Sequence, residues 1–105
     1  MNSHIKTTKL KRSKKIQDSY EEIVEWLELK HKYEAKEFIK ELKSECDKLK
    51  GLFIHKQCDF DSLKIYGEYC KIIKPKSTKC YVIYNVVNNT IIIEYIKPCS
   101  QAYDY

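Results

Sequence analysis

The clearest alternation along the chain lies between Cys80 and Ile96, where two runs rich in β-branched and aromatic residues flank Asn88 and Asn89. Asn tolerates the positive φ that a two-residue turn requires, so the spacing predicts an antiparallel hairpin. With those residues in the turn, Val87 faces Thr90, Val86 faces Ile91, Tyr84 faces Ile93 and Val82 faces Tyr95, and opposed residues share a face. One face then carries Val82, Tyr84, Val86, Ile91, Ile93 and Tyr95, all suited to a core. The other carries Tyr81, Ile83, Asn85, Ile92, Glu94 and Ile96. Asn85 and Glu94 fall on the same side, and a one-residue slip would carry Glu94 into the core set. The second face is too apolar to be simply wet, so it is either a surface for a partner or covered by the chain's own loops.

Upstream the period changes. Ile16, Tyr20, Ile23 and Leu27, widened by Val24, recur at helical spacing. Ala35, Phe38, Ile39, Leu42, Cys46 and Leu49 form a second helical stripe that stops at Gly51. Trp26 and Leu29 lie off the first stripe, as its core edge or as a partner contact. No Gly or Pro separates the stripes, but one helix of about 35 residues would be about 50 Å long, too long for so small a domain. An antiparallel pair is therefore predicted. Ile5, Thr7 and Lys9 alternate as a short N-terminal edge strand, and Lys11 to Lys15 read as a basic connector. Residues 51–67 read as a mixed connector with a turn at Asp59 to Ser62, pinned to the core by Leu52, Phe53, Leu63 and Ile65. Glu68 to Lys74 read as a strand that Pro75 ends. The predicted class is α+β, in one domain over residues 1–105: a short N-terminal strand, an antiparallel helix pair, then a three-stranded antiparallel meander.

Charge adds polarity to this plan. The formal net charge is +5, with six basic residues and no acid in residues 1–15, seven Lys against ten acids in 16–50, and seven Lys against five acids in 51–105. Basic ends of this kind suit nucleic acid or an acidic protein. Five cysteines at 46, 58, 70, 80 and 99 contain no Cys-x-x-Cys pair, so reduced thiols are expected rather than a disulfide framework. His55 and Cys58 with Cys46 lack a fourth ligand, and neither a metal nor a cofactor is expected. No apolar run is long enough to span a membrane and no secretory signal opens the chain, so a cytoplasmic protein without a membrane partner is expected.

From Ile16 to Tyr105 the chain resembles the RelE/ParE family of bacterial toxins. The likeness rests on Tyr20-Glu21-Glu22-Ile23-Val24-Glu25-Trp26-Leu27, on Ala35-Lys36-Glu37-Phe38-Ile39-Lys40-Glu41-Leu42, and on the closing Tyr81-Val82-Ile83-Tyr84 and Ile91-Ile92-Ile93 runs. The resemblance implies a growth-inhibiting, plasmid-stabilising toxin of a type II toxin-antitoxin system, neutralised by a cognate antitoxin. It offers two targets: DNA gyrase, blocked without catalysis, or mRNA on the ribosome, cut when a 2′-hydroxyl attacks the next phosphate. For cleavage, the positions carried over are Tyr103 and Lys74 as catalytic groups, with Lys71, Lys76, Tyr81 and Gln101 contacting RNA or another target. Tyr81 and Gln101 stand where ribosome-dependent members tend to carry Arg, and the only arginine here is Arg12. Lysine supplies charge without the bidentate fork, which favours gyrase inhibition or a degenerate toxin over mRNA cleavage and leaves enzymatic activity open. The antitoxin is expected across the uncovered hairpin face, at Ile83, Ile92 and Ile96. A non-toxic RNA-binding module using the basic ends is the alternative from another class.

Overall fold

A computed structural model describes residues 2–4, 6–30 and 35–99 of the chain. In order, these form strand β1 (Asn2–His4), strand β2 (Lys9–Arg12), helix α1 (Ile16–Lys30), helix α2 (Ala35–Asp47), strand β3 (Ile54–Lys56), helix α3 (Asp61–Lys64), and strands β4 (Tyr69–Ile73), β5 (Cys80–Val87) and β6 (Thr90–Pro98). The class is α+β, as expected. The sheet, however, is four-stranded and mixed, in the order β2-β6-β5-β4, with β1 and β3 forming a separate antiparallel pair. Strands β4, β5 and β6 run antiparallel in turn, and β2 joins β6 in parallel through Lys9–Arg12 against Thr90–Ile93.

The N-terminal reading is corrected by that pairing. Lys11 and Arg12 belong to β2 rather than to a connector. Thr7 precedes it and is buried, with both its amide and its Oγ1 donating to the Leu52 carbonyl at 3.1 and 2.7 Å. Ile5 lies outside the described residues. The period-2 signal was too short to place a strand whose partner lies about eighty residues away.

The stripes of residues 16–49 form two helices, and residues 31–34 between them lie outside the described set. One continuous rod over residues 16–47 would be about 48 Å long at 1.5 Å per residue, whereas the longest dimension of the molecule is 38 Å. The helices pack on each other, with Lys43 Nζ 5.1 Å from the centre of the Tyr20 ring. A parallel arrangement would need the connection to run back the length of a helix, about 20 Å, which four residues scarcely span. Their buried stripes, including Ile23, Leu27, Phe38, Leu42 and Cys46, meet Val82, Tyr84, Ile91, Ile93 and Ile96 of the sheet in one core. Trp26 belongs to that core, whereas Leu29 is 76% exposed. Helix α2 ends at Asp47, and Gly51, at the end of the turn that follows it, takes φ +92°, a left-handed conformation glycine adopts readily.

Asn88 and Asn89 turn the hairpin with φ of 50° and 62°, as a type I′ turn requires. The expected register holds from Val87↔Thr90 to Tyr84↔Ile93 and then breaks, because Ile83 pairs with Tyr95 and Val82 with Ile96. Glu94 is the extra residue of a β-bulge. Tyr95 and Ile96 therefore exchange faces relative to strict alternation: Ile96 enters the helix-side core and Tyr95 the opposite cluster. Asn85 and Glu94 do share a side, and Asn85 Nδ2 donates to Glu94 Oε2 at 2.9 Å while its Oδ1 accepts from the Glu68 amide at 2.9 Å. The bulge is thus tied to the start of β4.

The second face of the hairpin is not open. Tyr81, Ile83, Tyr95 and Cys99 are buried there under Cys58 and Leu63, with Cys70 packed alongside. Of the four residues expected to pin the connector, Leu63 is buried and Leu52 partly so, whereas Phe53 and Ile65 are exposed. The sheet is covered by helices on one side and by α3 and its flanks on the other.

Candidate functional site

Sealing the hairpin face moves the exposed apolar surface to its flank. A groove of about 820 Å³ opens between β3 with its following loop and the outer strand β4. Phe53, Ile54, Phe60 and Ile72 line it, all well exposed, with Tyr81 and Cys70 deeper and Lys56, Lys71 and Asp59 at its rim. Local alternation explains the arrangement. In Ile54-His55-Lys56 the outer residues face solvent and His55 turns inward. Its Nδ1 lies 2.8 Å from the Tyr84 hydroxyl and its ring packs 5.5 Å from that of Tyr69, which anchors β3 to the sheet. Phe60 rests on Tyr81 with ring centres 5.1 Å apart.

Strand β4 contributes its backbone as well as its side chains. One edge is paired with β5 from Tyr69 to Ile73. On the other, among the described residues, Gln57 forms a single bridge with Tyr69 and no strand continues it. Lys71 and Ile72 are exposed beside that edge.

The residues carried over from the resemblance part company. Lys71 and Tyr81 both line the groove. Lys74 is exposed at the end of β4. Lys76, held at φ 49° in the 3₁₀ turn Pro75–Ser77, points away to α2, its Nζ 3.5 Å from Glu41 and 3.9 Å from Glu37. Gln101 and Tyr103 lie outside the described residues. Ile83 and Ile96 are 0% and 1% exposed, so their side chains belong to the interior and not to a partner surface; Ile92 keeps partial exposure. The physical reasons are the cover from α3 over Ile83 and the bulge that turns Ile96 inward. Sequence reasoning assigned Phe53 to the core and did not single out Ile54, Phe60 or Ile72 as surface groups. The signal was a connector carrying more large apolar residues than two anchors need.

Few polar side chains flank the groove. His55 is buried behind it, and Asp59 stands 3.7 Å from Lys56 Nζ. Burial pushes the Cys70 thiol up to about 12 and the Tyr84 hydroxyl above its ordinary value, so neither ionises readily near neutrality. Arg12 is spent elsewhere: it donates to Asp47 Oδ1 at 2.8 Å and to the Lys43 carbonyl at 3.2 Å, clamping β2 to the end of α2. Among the described residues, no three His, Cys, Asp or Glu side chains converge as metal ligands, and no helix is long and apolar enough to cross a membrane. Compared with protein-family models, with curated proteins and with solved structures, the chain matches none.

Proposed function

We propose that the protein is the toxin component of a type II toxin-antitoxin system and that a cognate antitoxin occupies the groove beside β4. The observation that carries this reading is the juxtaposition of exposed apolar side chains of Phe53, Ile54 and Ile72 with a strand edge that, among the described residues, no strand pairs beyond the Gln57–Tyr69 bridge. An extended segment laid along β4 satisfies the edge and buries those side chains, the usual logic of strand addition. The order of strand, helix pair and hairpin, together with the residues that carry the family resemblance, supports the same reading. The antitoxin contacts are accordingly assigned to the groove in place of Ile83 and Ile96. Cleavage of mRNA needs a base beside the 2′-hydroxyl and concentrated positive charge at the phosphate. Among the described residues the groove offers Lys56 and Lys71 with neither histidine nor arginine, which favours gyrase inhibition, or a toxin that has lost its activity, over cleavage.

Inducible expression, alone and together with the adjacent small reading frame, tests the reading. Growth arrest relieved by co-expression is expected, with the partner co-purifying and lost from a Phe53→Asp/Ile72→Asp variant that keeps its circular dichroism spectrum. Unimpaired growth together with no co-purifying partner refutes it. Supercoiling and translation assayed in parallel name the target. A second reading, a basic RNA-binding module, is favoured by the proximity of Lys56 and Lys71 to the exposed rings of Phe53 and Phe60, on which bases stack. Single-stranded RNA affinity that falls steeply between about 50 and 200 mM salt distinguishes it from an apolar protein interface.

A further inference from the structure

On the opposite side of the molecule, the outer surface of the helix pair forms a second groove, of about 660 Å³. Its floor is apolar and half-buried, made by Val24 from α1 and by Ala35 and Ile39 from α2. Its two walls carry opposite charge. Glu21, Glu25 and Glu28 line the α1 wall, and Lys36, Lys40 and Lys43 line the α2 wall. All six are exposed, and among the described residues none forms an ion pair within the chain. Lys43 Nζ lies 5.1 Å from the centre of the Tyr20 ring, and stepping away from that contact at about 1.5 Å per residue along an antiparallel pair puts Glu21 near the height of Lys43, Glu25 near that of Lys40 and Glu28 near that of Lys36.

We infer that this face joins a second copy of the chain in a two-fold homodimer, α1 of each protomer lying over α2 of its partner. An isologous contact must be self-complementary, and two in-plane axes are possible for helix layers meeting face to face. An axis across the helices lays α1 on α1 and sets glutamate against glutamate. An axis along the helices lays α1 on the partner's α2 and keeps every residue at its own height, so three acids meet three lysines on each side of the axis. The same operation brings the two apolar floors together in a four-helix layer. Only the second arrangement turns both walls into attractive contacts. Two helices of about 20 Å side by side give a footprint of about 400 Å² per protomer, or about 800 Å² in all, which is below the span of stable specific interfaces and in the range of weak, transient ones. The dimer is therefore weak and sensitive to salt.

The test is charge reversal read by sedimentation equilibrium. Wild-type protein is expected to dimerise reversibly at low salt and to dissociate progressively as salt is raised. Glu21→Lys/Glu25→Lys/Glu28→Lys should weaken the homodimer by about a hundredfold, since six modest pairs turn repulsive, and so should Lys36→Glu/Lys40→Glu/Lys43→Glu. Mixing the two triple variants should give a heterodimer, and the chain carrying all six changes should regain the homodimer. Wild-type protein that stays monomeric at about 1 mM, or a dimer indifferent to either reversal, overturns the proposal. Because all six side chains are exposed, matched circular dichroism and melting curves separate lost association from lost folding.

Discussion

Within the segment that roofs the outer sheet face, Leu63 is the most deeply buried side chain, and Leu63→Ala measures its share of the hold. Leu63 is 1% exposed and is the one residue of α3 whose side chain enters the interior, between Cys58 and the sheet residues Tyr81 and Ile83. Helix α3 has four residues and no side-chain cap, so it has little stability of its own. Truncation removes about three buried carbon groups at about 0.8 kcal/mol each, or about 2.4 kcal/mol before any cavity term. At about 1.4 kcal/mol per factor of ten, the roof should open about fiftyfold more often. Hydrogen exchange read by mass spectrometry is the assay. Peptides spanning residues 58–66 are expected to exchange about fiftyfold faster, while the central β5 amides from Val82 to Tyr84 keep nearly all their protection. If β5 loses protection in step with residues 58–66, roof and sheet unfold as one unit and the reasoning fails. Unchanged exchange in 58–66 fails it too, by showing that the segment is held by something other than Leu63.

Two further predictions concern the same architecture. A Cβ at Gly67 would stand 3.0 Å from Ile83 Cγ2 and 3.2 Å from the Tyr84 carbonyl oxygen, the second a backbone atom that cannot step aside; Gly67→Ala should cost about 1–3 kcal/mol and lower the melting temperature by about 5 °C or more, and an unchanged melting temperature contradicts the close approach. Burial pushes the thiols of Cys46 and Cys80 up to about 12 from an ordinary 9.0, so above about pH 9 the unfolded chain sheds these protons first. The stability they contribute is whole below that pH and declines as pH rises towards 12. The urea midpoint of reduced protein should match at about pH 7 and pH 8 and fall at about pH 10, and a midpoint that holds at the higher pH rejects the burial of these groups.

Much of the helix-side core was legible because it rests on period. The stripe through Ile16, Ile23 and Leu27, the stripe through Phe38, Leu42 and Cys46, and the alternation of Val82 and Tyr84 against Ile91 and Ile93 all lie where spacing predicts. Asn88 and Asn89 announced their turn by tolerating positive φ. What alternation could not register was the bulge. The extra residue is Glu94 itself, and the two residues beyond it, Tyr95 and Ile96, are both apolar, so their exchange of faces leaves no mismatch to see and their assignments reversed. The roof was illegible for a different reason. A four-residue helix has little more than one turn of periodicity, and whether Leu63 or Phe53 would be the anchor depends on contacts with strands that follow in the chain. The groove inherited that gap, since its lining comes from the connector and from the far edge of a strand. Lys71 and Tyr81 were found because the family resemblance singled them out, and nothing in their local pattern joined them to Phe53.

The parallel pairing of Lys9–Arg12 with Thr90–Ile93 has a bearing on how the chain is born. A nascent strand at residue 9 has no partner until residue 93 has left the ribosome, and by then both helices have been synthesised. Strand β2 must therefore wait, its lysines keeping the idle edge soluble, while the helices and hairpin assemble. Closing the sheet joins segments at opposite ends of the sequence, the kind of contact that slows folding most. Clipping or masking β2 would leave β6 with a bare edge, so a segment made early supplies the last seal on a sheet completed about eighty residues later.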